Sequence, residues 1–440
     1  MIGYNSFKSF LVVFTVCLLK CDGISFGDEN DNMQRLGAIN QLFGLDLLKS
    51  LQNMNVGHDI PMLGGQDNFI FSPFNIGNSL AILLLGADEK MFNQLLHTLH
   101  YEELFQIFNQ ITLKNQHILH STILKTIRTL KNYKNTTVRL SYGIYPDKRF
   151  KVDRAFAIEV SKYYGTHIQK LNYKTKADEA VKTINSDIAK ATKGVIKDIL
   201  PRESLNPDTR FLIVDTIYFK SEWKDPFKPE KTYPEPFTRD DGVVEQVKMM
   251  HDTRTLQYGA AQLDDLVILP TSILNQKIEI LRIPYANPNL AMFFVLPEKH
   301  GLSDLIKVLS PTGFTSLTKS VKDTLIDVSL PVFRTSYALS LSKTLKNLGL
   351  KSIFEDMTNF TGLIRSHKSD NLYLGEVFHK ASIEVTERGT KAIADTGAVM
   401  LTSSRYLPST QKFIADRPFL YFILDSLSGN ILFFGTYIKG

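Results

Sequence analysis

Cysteine is nearly absent from this chain: 440 residues hold two, Cys17 and Cys21, both near the N terminus. Tryptophan occurs once, at Trp223. No apolar run reaches the roughly 20 residues that a bilayer-crossing helix needs, so no membrane span is expected. Basic residues number 51 and acidic ones 45, without a dense Lys/Arg block, and the net charge is a mild +6. That balance argues against a nucleic-acid-binding domain. The GxSxG elbow, HExxH helix, Walker A loop and GxGxxG turn are all missing. Serines, histidines and aspartates that could build a hydrolytic triad exist, as in any large protein, but none sits in a recognisable setting. An enzyme is not expected.

What is there begins with an address. Lys8 precedes an apolar run from Phe10 to Leu19, and Cys21, Asp22 and Gly23 follow. A basic start, a short apolar stretch and small residues at the −3 and −1 positions read as a secretory signal peptide, residues 1–23, cut after Gly23. Both cysteines leave with it. Residues 24–440 would then lack any thiol, disulfide or cysteine metal site, and no metal or cofactor is expected. A chain of this size can bury a core large enough to stand without staples. The sequons at Asn135 and Asn359 are expected glycan sites on surface loops of an exported protein.

Composition is that of a globular protein, with 43% apolar and 22% charged residues. A helical apolar face runs from about Arg35 to Leu51, with Leu36, Ile39, Phe43, Leu47 and Leu51 in phase. A Gly/Pro-containing loop, Asn55 to Gln66, leads to a short buried strand at Asn68–Pro73 and a buried helix from Ile76 to Leu85. Residues 104–131 read as helical. Strands are expected at 138–144 and 211–219, the second apolar almost throughout, as for a central strand covered on both faces. Further strands are expected at 278–283, 291–296, 326–333, 372–386, 419–425 and 431–438, with a helix at 339–348. No linker or repeat divides this α+β chain.

The C-terminal third resembles the serpins. Phe413-Ile-Ala-Asp-Arg-Pro-Phe-Leu-Tyr-Phe-Ile423, followed by Gly429–Gly435, is similar to that family's most diagnostic segment. Glu387-Arg-Gly-Thr-Lys-Ala-Ile-Ala-Asp-Thr396 resembles its hinge. Asn68–Pro73 with Ser79-Leu-Ala81 and Gly86-Ala87, then Thr192-Lys-Gly194, then Asp215 to Trp223, resemble further blocks in the expected order. The resemblance implies one domain with three β-sheets, eight or nine helices and an exposed reactive-centre loop at about 387–412. It also implies a mechanism. A protease cleaves the loop, forms an acyl-enzyme, and is carried along as the loop becomes a new strand.

The hinge passes a physical test. A segment that becomes a central strand sends alternate side chains into the packed face. From Thr390, one parity reads Thr390, Ala392, Ala394, Thr396 and Ala398, all small and uncharged. Larger side chains there would cost about 1–3 kcal/mol each in overpacking. The other parity, Lys391, Ile393, Asp395, Gly397 and Val399, departs from the family's run of small residues, with both charges on one side. Gly389 allows dihedrals that a folding hinge requires, and Glu387 opens the segment. By the family's count from Glu387 the scissile bond is Ser403–Ser404, suited to a protease that accepts small side chains. A slightly longer loop would present Arg405–Tyr406 to a trypsin-like pocket. Both remain open.

Other residues match by position. His379, Ser72, Asn75 and Asp215 correspond to a buried polar cluster under the sheet's opening, Asn75 standing where serine is usual and Asp215 where asparagine is usual. Asp215 is expected to accept a hydrogen bond from His379, making the pair either a pH-sensitive latch or a satisfied core cluster. Trp223 falls where the loop first enters. Lys125, Arg128 and Lys131 recur at spacing three on one side of a helix, which reads either as a sulfated-polysaccharide site or as a solvated face. The expected partner is an extracellular serine protease, and the expected state is monomeric. Lys391, Ile393 and Asp395 favour the alternative, a non-inhibitory serpin that carries or signals.

Overall fold

The computed structural model describes residues 29–55, 68–102, 116–262, 277–298, 301–355, 362–365, 373–390 and 411–440. The expected signal segment, Asn359 and residues 391–410 lie outside them. The described helices are α1 (Glu29–Asn55), α2 (Pro73–Leu84), α3 (Glu89–Thr98), α4 (His117–Lys131) and α5 (Arg154–Tyr164), then α6 (Tyr173–Ala191), α7 (Leu302–Val308), α8 (Pro311–Lys319) and α9 (Ser342–Asn347).

Among the described residues sixteen strands accompany them. They are β1 (Ile70–Phe71), β2 (Thr136–Pro146), β3 (Lys151–Val152), β4 (Phe211–Glu222), β5 (Thr232–Thr238) and β6 (Val244–Gln262), followed by β7 (Lys277–Pro284), β8 (Leu290–Pro297), β9 (Lys322–Pro331), β10 (Phe333–Ser340) and β11 (Ile364–Arg365). The last five are β12 (Glu376–Thr386), β13 (Gly389–Thr390), β14 (Gln411–Ile414), β15 (Phe419–Asp425) and β16 (Asn430–Tyr437).

The sheet that matters most has five strands in the order β10-β12-β13-β4-β2. Its centre is β4, whose first nine residues are all buried. Odd-numbered residues such as Ile213, Ile217 and Phe219 enter the main core. Leu212, Val214 and Tyr218, on the opposite side, meet Ala180, Val181, Ile184 and Ile188 of α6. The apolar run is thus explained as expected, by cover on both faces.

A second sheet of nine strands is assembled around β6, 19 residues long. Residues Val244–Met250 of β6 pair with β5, Met249–Tyr258 with β9, and Gln257–Gln262 with β7. Two of the three expected sheets are therefore continuous through one strand. A short ladder joins β3 to β11.

The strand expected at 372–386 begins at Glu376 and the helix expected from Ile76 begins at Pro73, and two further boundaries moved. The stretch 326–333 is two strands, because Pro331 closes β9 and Val332 breaks the ladder. The helix expected at 339–348 begins at Ser342, since Phe333, Thr335, Tyr337 and Leu339 continue a two-residue alternation of buried side chains through β10. Helix α2 starts where its chemistry directs. Ser72 caps it by accepting from Asn75 N–H, and Pro73 occupies the first turn.

Candidate functional site

The site begins where β12 ends. After Thr386 the chain turns back, and Gly389 and Thr390 pair antiparallel with both neighbours: Val385↔Thr390 and Thr386↔Gly389 on β12, Gly389↔Glu222 and Thr390↔Ser221 on β4. Below that point β12 and β4 pair directly and in parallel, from Glu376↔Leu212 to Ser382↔Tyr218. The start of a middle strand is in place above a closed parallel pair.

Trp223 organises this entrance. Its indole N–H donates to Thr386 O at 2.9 Å, and its backbone N–H donates to Arg388 O at 2.9 Å. Phe227 N–H donates to Glu387 O at 2.8 Å. The indole stacks on Tyr285 at 4.6 Å and 13°. The Tyr285 hydroxyl meets Thr390 Oγ1 at 2.7 Å, and Thr390 is fully buried. Thr390 thus points inward, as the parity argument requires. Gly389 has φ +143°, and a Cβ there would lie 2.4 Å from Ser221 O, so glycine is needed on two counts. Tyr285 escaped the sequence reading, because only the tertiary contact with Trp223 and Thr390 marks it.

The polar cluster assembles as expected and gains a member. His379 and Asp215 are register partners, with His379 Nδ1 2.6 Å from Asp215 Oδ1. Ser72 N–H donates to His379 Nε2 at 3.0 Å, so the ring carries its proton on Nδ1 and gives it to Asp215. Asn75 Nδ2 donates to Asp215 Oδ1 at 2.7 Å, and Ser79 Oγ donates to Oδ2 at 3.2 Å. All five residues are buried. Asp215→Ala would orphan two buried donors, His379 Nδ1–H and Asn75 Nδ2–H, since Ser79 Oγ still donates to Ile76 O at 2.9 Å. At about 1–3 kcal/mol for each orphaned group, a loss of roughly 3 kcal/mol or more is expected in urea unfolding, and Asp215→Asn should lose less.

Helix α4 carries the basic triplet. Arg128 and Lys131 are exposed, whereas Lys125 is half-buried and donates to Asn30 Oδ1 at 3.2 Å. The helix is anchored by His120, buried with Nδ1 2.7 Å from the Tyr164 hydroxyl and Nε2 3.0 Å from Gln116 Oε1. Burial pushes this imidazole from 6.5 down to about 3. Between those values the unfolded chain binds the proton and the folded chain does not. Stability is therefore complete above the unfolded value and falls with acidification through that window, by up to about 1.4 kcal/mol per pH unit. His120→Gln is expected to flatten this slope in unfolding curves collected across pH.

A Ser–His–Glu line also occurs: Ser329 Oγ lies 2.9 Å from His251 Nδ1, and His251 Nε2 lies 3.5 Å from Glu235. Ser329 is buried in mid-strand between β6 and β14, and its carbonyl accepts from Ala415 N–H. A nucleophile needs an exposed position and an oxyanion hole, and a regular ladder position provides neither.

Asn135 is exposed in the turn before β2, with φ 58°. Ala392, Ala394, Thr396, Ser403, Ser404, Arg405 and Tyr406 lie outside the described residues.

Comparison with known proteins completes the picture. Residues 38–440 match the family model described as serpin, serine protease inhibitor. The chain is 29% identical over 414 residues to a leukocyte elastase inhibitor of Xenopus tropicalis, covering 92% of this chain and 99% of that protein. Native protease nexin-1 with heparin superposes with a TM-score of 0.76 at 24% identity, over 94% of this chain and 100% of that one. Human thyroxine-binding globulin does so with 0.75 at 23%, over 92% and 99%. At these identities the two structures establish the fold alone. Because the family model spans nearly the whole chain from the middle of α1 to Gly440, the protein belongs to the serpins, the serine protease inhibitor family.

Proposed function

We propose that this serpin is a secreted suicide inhibitor of an extracellular serine protease. The observation that carries the reading is β13, a strand begun between β12 and β4. In the proposed reaction the protease serine attacks the carbonyl carbon of Ser403, or of Arg405. An ester forms, the peptide bond to the next residue breaks, and the new amine leaves with the proton taken from that serine. The freed segment then continues β13.

The register of β13 states where each residue would go. Ala392 comes level with Phe219 and Ile383, Ala394 with Ile217 and Ala381, and Thr396 with Asp215 and His379. These small side chains would face the core. On the other face Lys391 comes level with Glu384 on β12 and Lys220 on β4, and Asp395 with Lys380 on β12 and Thr216 on β4. Each of the two charges that depart from the family pattern would have an opposite charge on its β12 side, with Asp395 the better matched because Lys391 also meets Lys220. This supports the inhibitory reading over that of an idle scaffold, the reading to which the likeness to thyroxine-binding globulin lends its weight.

The protease would accept Arg405 in a trypsin-like pocket or Ser403 in a small one. A sulfated polysaccharide binding Lys125, Arg128 and Lys131 is part of the proposal, supported by the resemblance to a heparin-bound relative. The exposed Asn135 is a proposed glycan site, signal cleavage after Gly23 accounts for secretion, and the working state is a monomer. Incubation with trypsin and pancreatic elastase tests the core of it. Complexes that resist boiling in detergent are expected, whereas clean cutting without complexes overturns the reading in favour of a carrier or signalling role.

A further inference from the structure

The hinge turn between β12 and β13 is held from one side by residues 223–231, the connection from β4 to β5. Trp223 N–H donates to Arg388 O there, and Phe227 N–H to Glu387 O. Lys224 N–H donates to Pro284 O at 3.0 Å, which fixes the start of the connection to β7. Asp225, Pro226, Phe227 and Lys228 belong to no helix or strand, so their backbone has no ladder to fix it and takes its position from a side chain elsewhere. That side chain is Arg254 of β6. Its guanidinium carbon lies 4.4 Å from the centroid of the Phe227 ring, and its Nη1 donates to Asp225 O. Phe227 is 2% exposed and Arg254 14%, so the cation meets the ring where little water competes and such a contact is strongest. Asp252, two residues back on the same face of β6, reaches Arg254 Nη1 at 3.5 Å and Lys231 Nζ at 3.4 Å. Strand β6 thus grips the connection at Asp225, Phe227 and Lys231.

The grip joins two sheets. Arg254 is a register partner of Ile326 on β9, inside the nine-stranded sheet, whereas the hinge belongs to the five-stranded one. Position passes from β6 through Arg254 and Phe227 to Glu387. The guanidinium contributes little to the fold beyond this. Among the described residues its Nε and Nη2 are buried without a hydrogen-bond partner. Buried donors left unpaired cost stability, which offsets much of what the contacts with Phe227 and Asp225 contribute.

We infer that Arg254 is a positioning residue for strand insertion: it holds Phe227 so that its N–H stays on Glu387 O, and thereby keeps Gly389 and Thr390 in the ladder between β12 and β4. The inference rests on the inhibitory reading above and deepens it. A strand that continues β13 starts sooner when its first two residues are already paired, because the closure entropy of that start has been met before the cut. When the grip is lost, the start of β13 frays and hydrolysis of the acyl-enzyme gains on insertion.

Two variants of the full chain test this. Arg254→Met keeps a long apolar side chain over Phe227 without the charge or the donor, and Arg254→Lys restores the cation. In the uncut protein, hydrogen exchange at the Phe227 and Thr390 amides is expected to run about tenfold faster in the Met variant and within about threefold of the parent in the Lys variant. Trp223 is the only tryptophan, so acrylamide quenching of its fluorescence reads the same entrance and should rise in the Met variant alone. The melting temperature of the Met variant should stay within about 2 °C of the parent. With trypsin and pancreatic elastase, the fraction of cuts ending in detergent-resistant complexes should fall about threefold in the Met variant and recover in the Lys variant. Exchange and quenching like the parent's in the Met variant overturn the inference and leave the inhibitory reading intact. A looser entrance with undiminished trapping, or one that lysine fails to restore, overturns it too, as does a melting temperature lowered well beyond that margin, the mark of a packing role alone. If the parent itself traps neither protease, the inhibitory reading fails, and exchange and quenching in the two variants still decide whether Arg254 holds the hinge.

Discussion

Cutting the chain once between Thr390 and Gln411 is expected to raise its melting temperature by about 10 °C. The reason lies in the ladder. In the intact protein β12 and β4 are parallel partners over Glu376–Ser382 and Leu212–Tyr218. An inserted strand would run antiparallel to both, replacing one ladder by two. Residues Lys391 to Val399 would add backbone bonds on each side at about 1 kcal/mol net apiece, a gain on the order of 10 kcal/mol. For a chain of this length, roughly 1 kcal/mol shifts the midpoint by 1 °C. Differential scanning calorimetry of intact and trypsin-cut protein reads this directly. Equal melting temperatures, with the cut segment still open to further digestion, would remove insertion and leave only the family fold.

The second large effect is expected from Thr390→Arg. Thr390 has no exposure, and its hydroxyl is 2.7 Å from that of Tyr285, beneath the stacked Trp223. A guanidinium there would be buried without a counter-charge, costing several kcal/mol. Because each 1.36 kcal/mol is tenfold in rate, insertion should slow at least about 100-fold. Hydrolysis of the acyl-enzyme then wins, and the chain becomes an ordinary substrate that is cut fully but yields few detergent-resistant complexes. Thr390→Ser keeps the hydroxyl and should behave as the parent. An Arg variant that traps protease as well as the parent would show that Thr390 need not remain in the sheet. Trp223→Ala tests the same entrance from below. Loss of a buried tryptophan costs about 3–5 kcal/mol, and here it also removes the indole N–H that donates to Thr386 O.

Much of this was legible in residue order. The nine-residue apolar run of β4 announced a strand covered on both faces, and α6 and the core supply the covers. The small-residue parity beginning at Thr390 announced which side would face inward, and the burial of Thr390 agrees. Ser72, Asn75, Asp215 and His379 were named from sequence and prove to be one bonded cluster. Tyr285 and Ser79 were not named for any role. Tyr285 touches a residue 105 positions away and Ser79 one 136 positions away, and no local pattern records such distances. The helix expected at 339–348 started too early because Leu339 and Leu341 suit either period, and only pairing with β12 favoured the strand through Ser340.

Sequence alone determined the periodicities, the need for glycine at a hinge, and the order of blocks that marks a serpin. Those are local: they depend on side-chain shape, dihedral freedom and spacing along one segment. Tertiary structure decided that β13 sits between β4 and β12, and that His379 accepts from Ser72 while donating to Asp215. Such facts arise from pairing between segments a hundred or more residues apart. There, register and burial choose among contacts that each segment alone would permit equally.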